Sequence, residues 1–444
     1  MKIALIAPAW HDPLWESEKE KSIFPPLNLI TLAALTPPQH EVTILDESLT
    51  DLDSDAKYDL VGISAMTALA PRAYEIADAF RARGSRVVLG GMHPSALPEE
   101  ALGHADAVVI GEAEGSWQRL LADLEEGGRL QPFYRQEERP SLEHLAIPRR
   151  DLLRRDRYLI PDTVQTTRGC PFACSFCTVS QFFGHAFRFR PVAEVINEVR
   201  DLAGDVVAFI DDNIIGHPGY ARQLFTELAS LPKKIKWFSQ GSLNIARDEE
   251  LLRLAAASGC IGLFIGFESL SPGNLKAVGK SVNRVEEYRN AIKRIHDHGI
   301  AIEGAFVFGL DEDDAGVFER TVKFAQENRL EAAQFGILTP FPGTPLRQAL
   351  EKEGRITSND WGQYTISKVV FEPKNMDPQT LQEGFNWAWA EFYSLGSISR
   401  RLGLATRNAA ILWAINLNIR KRFNHFLEKL RSGSFTLPRP SLAK

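Results

Sequence analysis

The sequence predicts an α/β protein with two successive parallel sheets and a mainly helical C-terminal region. Short apolar runs alternate with helical patterns through the first 345 residues, and this alternation is interrupted once, at residues 127–157. The chain has 444 residues, of which 44% are hydrophobic and 24% charged, as expected for a globular protein of more than one domain. No run approaches about 18 consecutive apolar residues, so we expect no membrane-spanning helix.

The first sheet is predicted from five short apolar runs within residues 1–126. The runs are Lys2–Ala7, Glu41–Leu45, Leu60–Ser64, Arg86–Leu89 and Ala107–Ile110. The helical patterns between and after them are Leu27–Leu35, Ala73–Arg83, Pro98–Gly103 and Trp117–Leu124. This alternation predicts a doubly wound, Rossmann-like domain, which binds ligands at the carboxyl ends of its strands. Residues 127–157 lack periodicity, which predicts a linker.

The second sheet is predicted from six further runs within residues 158–345. The runs are Asp162–Thr166, Val206–Ile210, Ile235–Ser239, Gly262–Gly266, Ala301–Phe308 and Ala332–Leu338. Helical patterns follow most of them, at Val192–Leu202, Gly219–Ser230, Asp248–Ala257, Val285–His298 and Asp314–Asn328. Six such units predict a partial (β/α)6 barrel, whose chemistry lies at the carboxyl ends of the strands. Residues 346–444 are predicted to be mainly helical, with Leu381–Tyr393 and Asn408–Leu430 as the clearest helices.

Charge and cysteine content narrow the class of protein. The net charge of −6 argues against a partner made of nucleic acid. Four cysteines in so long a chain do not make a disulfide framework, and three of them fall within eight positions, which is metal-site spacing in a reducing compartment. Because Met1 leads directly into an apolar strand without a signal-peptide pattern, we expect a cytoplasmic protein.

The C-terminal region carries a basic charge that the whole-chain value conceals. Residues 394–444 contain ten Lys or Arg and one acidic residue, a local charge of +9 that leaves −15 for the rest of the chain. The apolar stretch Ala409–Ile419 lies between basic residues, which are Arg400, Arg401, Arg407, Arg420, Lys421 and Arg422. This pattern fits either a helix on an anionic membrane surface, giving peripheral membrane contact, or a core-packed helix with solvated ends.

The three clustered cysteines are Cys170, Cys174 and Cys177, just after the first strand of the predicted barrel. A [4Fe–4S] cluster is usually held by four thiolates, so three thiolates on one loop leave one iron open to a ligand. Zinc is the alternative metal, and it needs four ligands in closed tetrahedral geometry. Cys260 or His185 would have to complete that set, and neither makes a familiar zinc-ligand pairing.

The spacing Cys-x3-Cys-x2-Cys, with the aromatic Phe176 before the third cysteine, resembles the signature of radical S-adenosylmethionine (SAM) enzymes. The resemblance covers residues 162–345. It implies that the amino and carboxylate groups of SAM chelate the open iron and that one electron cleaves SAM to a 5′-deoxyadenosyl radical. That radical would abstract a hydrogen atom from the substrate. The resemblance also implies an electron donor such as flavodoxin or ferredoxin.

Other strand ends fit the same resemblance. Asp211, Asp212 and Asn213 follow the second strand, where the family places polar groups that hold the methionine part of SAM, and a carboxylate suits its ammonium group. Glu268 ends the fourth strand, near the SAM ribose in relatives, and Gly304 resembles the glycine-bearing segment near adenine. A solvated loop, or turn geometry for Gly304, is the alternative. Many relatives carry arginine after the third strand, where this chain has Ser242-Leu243-Asn244, so the partner of the SAM carboxylate is unassigned.

The first sheet resembles the cobalamin-binding domain of cobalamin-dependent radical SAM enzymes. The residues that carry the resemblance end its later strands, and they are Ser64, Gly90, Gly91, Met92, His93, Gly111 and Glu112. Glycines at strand ends let the backbone approach a flat macrocycle. The Asp-x-His-x-x-Gly motif through which many corrinoid proteins ligate cobalt is absent, so we expect cobalamin to bind without a histidine ligand. The alternative is a sheet of this type that has lost its cofactor.

Together these resemblances imply a cobalamin-dependent radical SAM enzyme that methylates an unactivated carbon of a small-molecule or lipid-like substrate. Relatives that close rings or rearrange carbon skeletons share the architecture and are an alternative. A transfer-RNA methylthiotransferase would need three more cysteines for a second cluster, and only Cys260 remains. A non-catalytic corrinoid or metal-binding protein is the non-enzymatic alternative. The sequence alone does not identify the substrate.

Overall fold

The computed structural model describes residues 1–9, 21–53, 55–127, 129–184, 186–403 and 409–431. Two residues considered above, His185 and Arg407, lie outside these ranges. Within them the chain forms two six-stranded parallel sheets, one two-stranded antiparallel pair and helices that cover the sheets. This confirms the predicted fold class.

The first sheet contains six parallel strands. They are β1 (Lys2–Ala7), β2 (Glu41–Asp46), β3 (Leu60–Ser64), β4 (Arg86–Gly90), β5 (Ala107–Ile110) and β6 (Phe133–Arg135). Their order is β2-β1-β3-β4-β5-β6, so the strand order reverses between β1 and β3. In doubly wound sheets, ligands bind in the crevice at such a switch point.

Five helices cover both faces of this sheet. They are α1 (Leu27–Ala34), α2 (Ala70–Ala82), α3 (Met92–Ala96), α4 (Pro98–Leu102) and α5 (Glu114–Glu125). Alternate residues of β1 enter different cores: Ile3 and Leu5 pack in the cluster that includes α1 and α5, whereas Ala4 and Ile6 pack in the cluster that includes α2. A strand buried on both faces is expected in a parallel sheet, and it explains the continuous apolar runs.

Strand β6 lies within the segment predicted to be a linker. It pairs in parallel with β5, and Tyr134 is buried and donates a hydrogen bond of 2.5 Å to the Asp123 carboxylate. Three residues are too few to show the two-residue alternation of a strand, so the sequence pattern does not reveal it.

The second sheet and the antiparallel pair follow. In chain order the strands are β7 (Thr163–Val164), β8 (Thr167–Arg168), β9 (Arg188–Phe189), β10 (Val206–Phe209), β11 (Lys236–Gly241), β12 (Cys260–Glu268), β13 (Ala301–Phe308) and β14 (Ala332–Ile337). The parallel sheet has the order β14-β13-β12-β11-β10-β7, and β8 pairs with β9. Since β7 and β14 are the two edges of the sheet, the barrel is partial, as predicted.

The predicted strand Asp162–Thr166 divides into β7 and β8. The amides of Thr166 and Thr167 donate hydrogen bonds to the Asp211 carboxylate instead of to a neighbouring strand. The chain therefore leaves the sheet after Val164 and turns towards the cysteines.

Eleven further helices occur in this part of the described chain. They are α6 (Thr178–Phe183), α7 (Val192–Asp201), α8 (Pro218–Ser230), α9 (Glu249–Ala257), α10 (Pro272–Ala277), α11 (Tyr288–Asp297), α12 (Val317–Glu327), α13 (Pro345–Lys352), α14 (Pro378–Phe392), α15 (Leu395–Leu402) and α16 (Ala409–Arg431). Several begin with proline after a capping side chain; for example, Ser271 accepts from the Asn274 amide, and Thr344 from the Arg347 amide. Proline suits the first turn because that turn has no partner for its amide.

The C-terminal helices pack against the edge of the barrel next to β14. The indole of Trp389 on α14 donates to the carbonyl of Phe335 at 3.1 Å, and Phe423 and Phe426 of α16 are buried. In contrast, Ile411, Ile415 and Leu417 in the first half of α16 are exposed. None of the helices in the described ranges is long and apolar enough to cross a membrane.

Candidate active site

The three cysteines lie in residues 169–187, a segment that joins β8 to β9 and includes the short helix α6. We call this segment the cysteine loop. Cys174 is buried, Cys170 and Cys177 are partly buried, and all three are free thiols. Burial raises the pKa of the Cys174 thiol, and it raises that of Cys177 to about 11. Both thiols are therefore protonated near neutral pH, and a metal must displace those protons when it binds.

The barrel holds this cysteine loop through its backbone. The Ser175 amide donates to the Val278 carbonyl at 3.0 Å, and the Leu346 amide donates to the Ser175 carbonyl at 3.0 Å. Gly169 has a φ of 89°, and a Cβ there would lie 3.0 Å from the Ala186 carbonyl oxygen. Glycine is therefore required at the start of the loop.

Asp211 and Asp212, predicted to contact SAM, hold the start of the same loop. Asp211 accepts from the amide and hydroxyl of Thr166 at 3.0 and 3.1 Å and from both groups of Thr167, and Asp212 accepts from the Gly169 amide at 3.2 Å. Burial raises the pKa of Asp211 to about 6. One oxygen of Asp211 has no hydrogen-bond partner among the described residues, and surrounding protein encloses it.

Asn213 contacts one of the cysteines. Its side-chain nitrogen is 4.0 Å from the Cys170 sulfur and 3.1 Å from the Ser242 hydroxyl. The Ser242 hydroxyl also donates to the Asn244 amide oxygen at 2.6 Å. The segment after β11, which lacks the arginine of many relatives, thus forms a neutral polar chain beside Cys170.

Glu268, predicted near the SAM ribose, pairs with Lys280. Oε1 of Glu268 lies 2.8 Å from Nζ of Lys280, and both side chains are largely buried. Glu268 has a φ of 65°. The strand register shifts between Gly266 and Glu268, which changes the direction of the Glu268 side chain. Burial opposes the charge on Lys280, but Glu268 and the thiols of Cys174 and Cys170 outweigh burial and raise its pKa. Lys280 is therefore a cation beside the cysteine loop.

Gly304, predicted near the adenine, faces the helical layer. A Cβ at this position would lie 2.7 Å from Cδ1 of Leu330 and 3.2 Å from the ring of Phe306. Packing between the sheet and its helices therefore already accounts for glycine at this position.

Cys260, the cysteine considered for a zinc site, begins β12 and is buried. Its thiol contacts the Gly262 carbonyl at 3.6 Å, and burial raises its pKa. Among the described residues, no three His, Cys, Asp or Glu side chains converge as they would around a single metal ion. A four-iron cluster is larger than one ion, and it spaces its thiolates farther apart.

The inner face of the barrel contains a carboxyl group that the sequence pattern did not identify. Ile302, Gly304, Phe306 and Phe308 of β13 face the helices, so the alternate residues, including Glu303, face inwards. Glu303 is open to solvent there and has no hydrogen-bond or ion-pair partner among the described residues. The protein around this inner face still limits the hydration of the carboxyl group and raises its pKa to about 7.

Several apolar side chains lie on this inner face, together with the polar Gln240 and Gln334. Phe264 lies next to Glu303 in the sheet register, Ile210 is 38% exposed, and the rings of Phe24 and Phe238 are 6.0 Å apart. A mostly apolar space with few polar groups is typical of a site for an organic small molecule.

The predicted cobalamin contacts lie at the carboxyl ends of β3, β4 and β5, on one edge of the first sheet. Gly91 has a φ of 96°, and a Cβ there would lie 2.8 Å from the Ala65 carbonyl oxygen. Gly111 has a φ of 79° and open space beside it. The Ser64 hydroxyl accepts from the side-chain amide of Asn28 at 2.8 Å. The sulfur of Met92 is 3.7 Å from the hydroxyl of Thr178, just after the third cysteine. This edge, formed by the carboxyl ends of β3, β4 and β5 and called the cofactor edge below, therefore faces the cysteine loop.

His93, predicted among the cobalamin contacts, is fully buried. Its Nε2 lies 3.1 Å from Oε1 of Glu100, and burial lowers its pKa, so the ring is neutral. Glu100 also accepts from the Tyr74 hydroxyl at 2.9 Å and from the indole of Trp361 at 3.1 Å. His93 thus belongs to an internal network and is not presented on the open edge.

Glu112, also predicted as a cobalamin contact, is a buried ion-pair partner. Its carboxylate lies 2.6 Å from Arg168 and 2.5 Å from Arg188. Both arginines lie far from Glu112 in sequence, so no local pattern indicates these pairs. Lys280 was missed because the fold, not a local motif, pairs it with Glu268, 12 residues before it. Glu303 was missed because only the sheet shows that it faces inwards. Arg168 offered one signal, since it adjoins the cysteine motif.

The donor groups present fit the cofactors that the sequence implies. Three free thiols on one loop suit a cluster with one open iron, and Asn213, Glu268 and Lys280 offer polar and charged groups beside that loop. The open space at Gly111 suits the close approach of a macrocycle to the edge of the first sheet.

Two segments of the chain match known protein families. Residues 164–325 match the Radical SAM superfamily, and residues 19–121 match the B12 binding domain. The matches correspond to the two parallel sheets.

Two relatives match nearly the whole chain. Bacteriochlorophyllide d C-12(1)-methyltransferase of Chlorobaculum tepidum is 35% identical over 419 residues, which cover 91% of this chain and 89% of that protein. Bacteriochlorophyllide d C-8(2)-methyltransferase of the same organism is 32% identical over 409 residues, which cover 87% and 89%.

A solved structure has the same fold. The radical SAM methyltransferase TsrM from Kitasatospora setae, with cobalamin and a [4Fe–4S] cluster bound, superposes with a TM-score of 0.63. The match covers 79% of this chain and 78% of that one, at 19% sequence identity.

Proposed function

Because the chain belongs to the cobalamin-dependent radical SAM methyltransferases, we propose that it methylates an unactivated carbon of a large, mostly apolar small molecule. As a member of this family it is an enzyme that uses a [4Fe–4S] cluster, SAM and cobalamin, and the non-catalytic alternative is set aside. Bound together, these cofactors supply a substrate radical and a methyl group. The contact between Met92 and Thr178 supports the proposal most directly, because it brings the cofactor edge of the first sheet to the cysteine loop.

In this proposal, Cys170, Cys174 and Cys177 hold the cluster, and Phe176 packs beside them against the barrel core. Asn213 hydrogen-bonds to the methionine part of SAM, and Asp211 holds the start of the cysteine loop in place beside it. Lys280 pairs with the SAM carboxylate, in place of the arginine that many relatives carry after the third barrel strand. Ser64, Gly90, Gly91, Met92 and Gly111 border the cobalamin. A donor such as flavodoxin or ferredoxin supplies the electron.

We propose a chlorin pigment as the substrate. Two relatives with 35% and 32% identity are named for methylation of bacteriochlorophyllide d. The apolar side chains on the inner face of the barrel suit a flat, apolar ring system, and Glu303 offers one polar contact that would fix its orientation. A carboxyl with a pKa of about 7 can donate or accept a hydrogen bond at neutral pH.

The test uses bacteriochlorophyllide d as the probe. The anaerobically reconstituted protein, supplied with SAM, cobalamin and reduced flavodoxin, should convert the pigment to a product heavier by one CH2 group. S-adenosylhomocysteine and 5′-deoxyadenosine should form in equal amounts with it, measured by liquid chromatography and mass spectrometry. 5′-Deoxyadenosine without S-adenosylhomocysteine would refute methylation and favour ring closure or rearrangement. A polycyclic triterpene as a second probe tests a lipid substrate, and its methylation in place of the pigment would refute the chlorin.

We also propose that α16 contacts an anionic membrane surface. Ile411, Ile415 and Leu417 expose apolar surface on its first half, and the sequence around it is strongly basic. The protein should co-sediment with vesicles that contain phosphatidylglycerol and should be released as the salt concentration rises, since salt screens the charge attraction.

The variant for this test replaces Ile411 and Ile415, which lie one turn apart on the same face of α16, with serine. We expect it to bind phosphatidylglycerol vesicles at least about tenfold more weakly, because it removes most of the apolar contact area. Vesicles of pure phosphatidylcholine are the control and should bind neither protein. Failure of the unmodified protein to bind anionic vesicles at low salt would exclude this contact.

A further inference from the structure

A buried ion cluster joins the first sheet to both strands that flank the cysteine loop. The side chain of Glu112, just after β5, is 4% exposed, and its two oxygens accept from the guanidinium groups of two arginines. Nη1 of Arg168 lies 2.6 Å from Oε2, and Nη2 of Arg188 lies 2.5 Å from Oε1. A second nitrogen of Arg188, Nη1, is 3.1 Å from Oε2. We name Arg168, Arg188 and Glu112 the arginine clamp.

The arginine clamp holds both ends of the cysteine loop at one point. Arg168 is on β8 and Arg188 on β9, and the two residues are directly paired in the antiparallel register. The chain between them, residues 169–187, carries all three cysteines. Arg139 lies 3.6 Å from Glu112, and Glu114 lies 2.6 Å from Arg168, so the surrounding charges reinforce the same contact.

The cysteine loop is thus held from two sides. The barrel holds it through Asp211, Asp212 and Val278, and the first sheet holds it through the arginine clamp and through Met92. A carboxylate that accepts from two guanidinium groups has a defined direction as well as strength. When such a pair is buried, its geometry resists change, because loss of one partner leaves an uncompensated charge.

We infer that the arginine clamp is a positioning device that sets the alignment of the cysteine loop with the cofactor edge of the first sheet. In the proposed function, on which this inference rests, reductive cleavage of SAM to 5′-deoxyadenosine takes place at the cluster held by the cysteine loop. Formation of S-adenosylhomocysteine needs the methyl group of SAM to reach the cobalamin, and therefore depends on that alignment. Loss of the clamp therefore slows S-adenosylhomocysteine formation more than it slows 5′-deoxyadenosine formation.

The test compares Glu112→Gln with Glu47→Gln in the full-length protein. Glutamine keeps the shape of glutamate and removes its charge. Glu47 pairs with Arg72 at 2.5 Å and is equally buried, but both residues lie within the first sheet and its helices, so Glu47→Gln is a matched control. Hydrogen–deuterium exchange of the protein without cofactors reports the cysteine loop directly, and product ratios of the reconstituted enzyme report the alignment.

We expect Glu112→Gln to speed amide exchange within residues 169–187 at least about tenfold, whereas Glu47→Gln leaves these amides unchanged. The ratio of the initial rates of S-adenosylhomocysteine and 5′-deoxyadenosine formation, measured without substrate and within the first methyl transfer per cobalamin, should fall at least about tenfold because alignment is lost. Unchanged exchange in the loop, or an equal loss of both products, would overturn the inference. If Glu112→Gln does not fold, Arg188→Gln replaces it, because Arg168 then still neutralises Glu112. The same outcomes then apply.

Discussion

Replacing Cys174 with alanine should abolish cleavage of SAM. Cys174 is the most buried of the three clustered thiols, and two thiolates on the loop cannot hold a four-iron cluster that is also open to SAM. The reconstituted variant should lose the broad absorbance of the cluster, bind far less iron than the unmodified protein and form 5′-deoxyadenosine only at the background rate. Iron analysis and chromatography of the products measure these effects.

The matched control is Cys260→Ala. Cys260 is also a buried thiol, but it begins β12, whereas the cysteine loop contacts the chain beyond the other end of that strand. Its replacement should leave iron content and SAM cleavage close to those of the unmodified protein. Retained cleavage in Cys174→Ala, or equal losses in both variants, would contradict the assignment of the cluster to the loop.

Replacing Lys280 with methionine should weaken SAM binding by about 10- to 100-fold, since a hydrogen bond to a charged group contributes about 1.5–3 kcal/mol. Methionine preserves the length of the apolar stem and removes the ammonium group. The variant also leaves Glu268 without its partner, so a negative charge would face the SAM carboxylate. Equilibrium binding of SAM to the reconstituted protein, followed by the change in the cluster spectrum, gives the affinity.

Lys276→Met controls for the loss of one positive charge. Lys276 lies on α10, four residues before Lys280, and its side chain is exposed. Its affinity for SAM should match that of the unmodified protein, and Lys280→Arg should restore part of the affinity lost in Lys280→Met. Equal affinities in Lys280→Met and the unmodified protein would show that another group pairs with the carboxylate.

The regular architecture could be predicted because its strands carry buried apolar residues, on both faces in β3 and on the face turned to the helices in β13. Leu60–Ser64 and Ala301–Phe308 have the same limits in the sequence pattern and in the structure, since their apolar runs end where the strands leave the sheet. The sequence pattern gave the wrong strand limits where side-chain hydrogen bonds determine the path of the backbone. Asp211 captures the amides after Val164 and divides one predicted strand into two.

The candidate site was predictable only where chemistry and spacing lie within one short segment. The cysteines and Glu268 carry local signals of this kind. The fold determines the surroundings of Lys280, Glu303 and Glu112, so no local pattern reveals their roles. For example, 56 residues separate Glu112 from its partner Arg168. His93 shows the converse, because a local resemblance placed it among cofactor contacts while tertiary packing encloses it.

The network around Glu100 has a consequence for the movement of substrate into and out of the enzyme. Trp361, beyond the barrel, donates to Glu100 of the first sheet, and the arginine clamp ties the same sheet to the start of the barrel. Swinging the two sheets apart would break polar contacts at two separate places, and those of the arginine clamp are buried. We therefore expect a bulky reactant to enter, and its heavier product to escape, through the gap between the unpaired edges β7 and β14. Passage through a fixed opening would make the width of that gap a determinant of turnover rate.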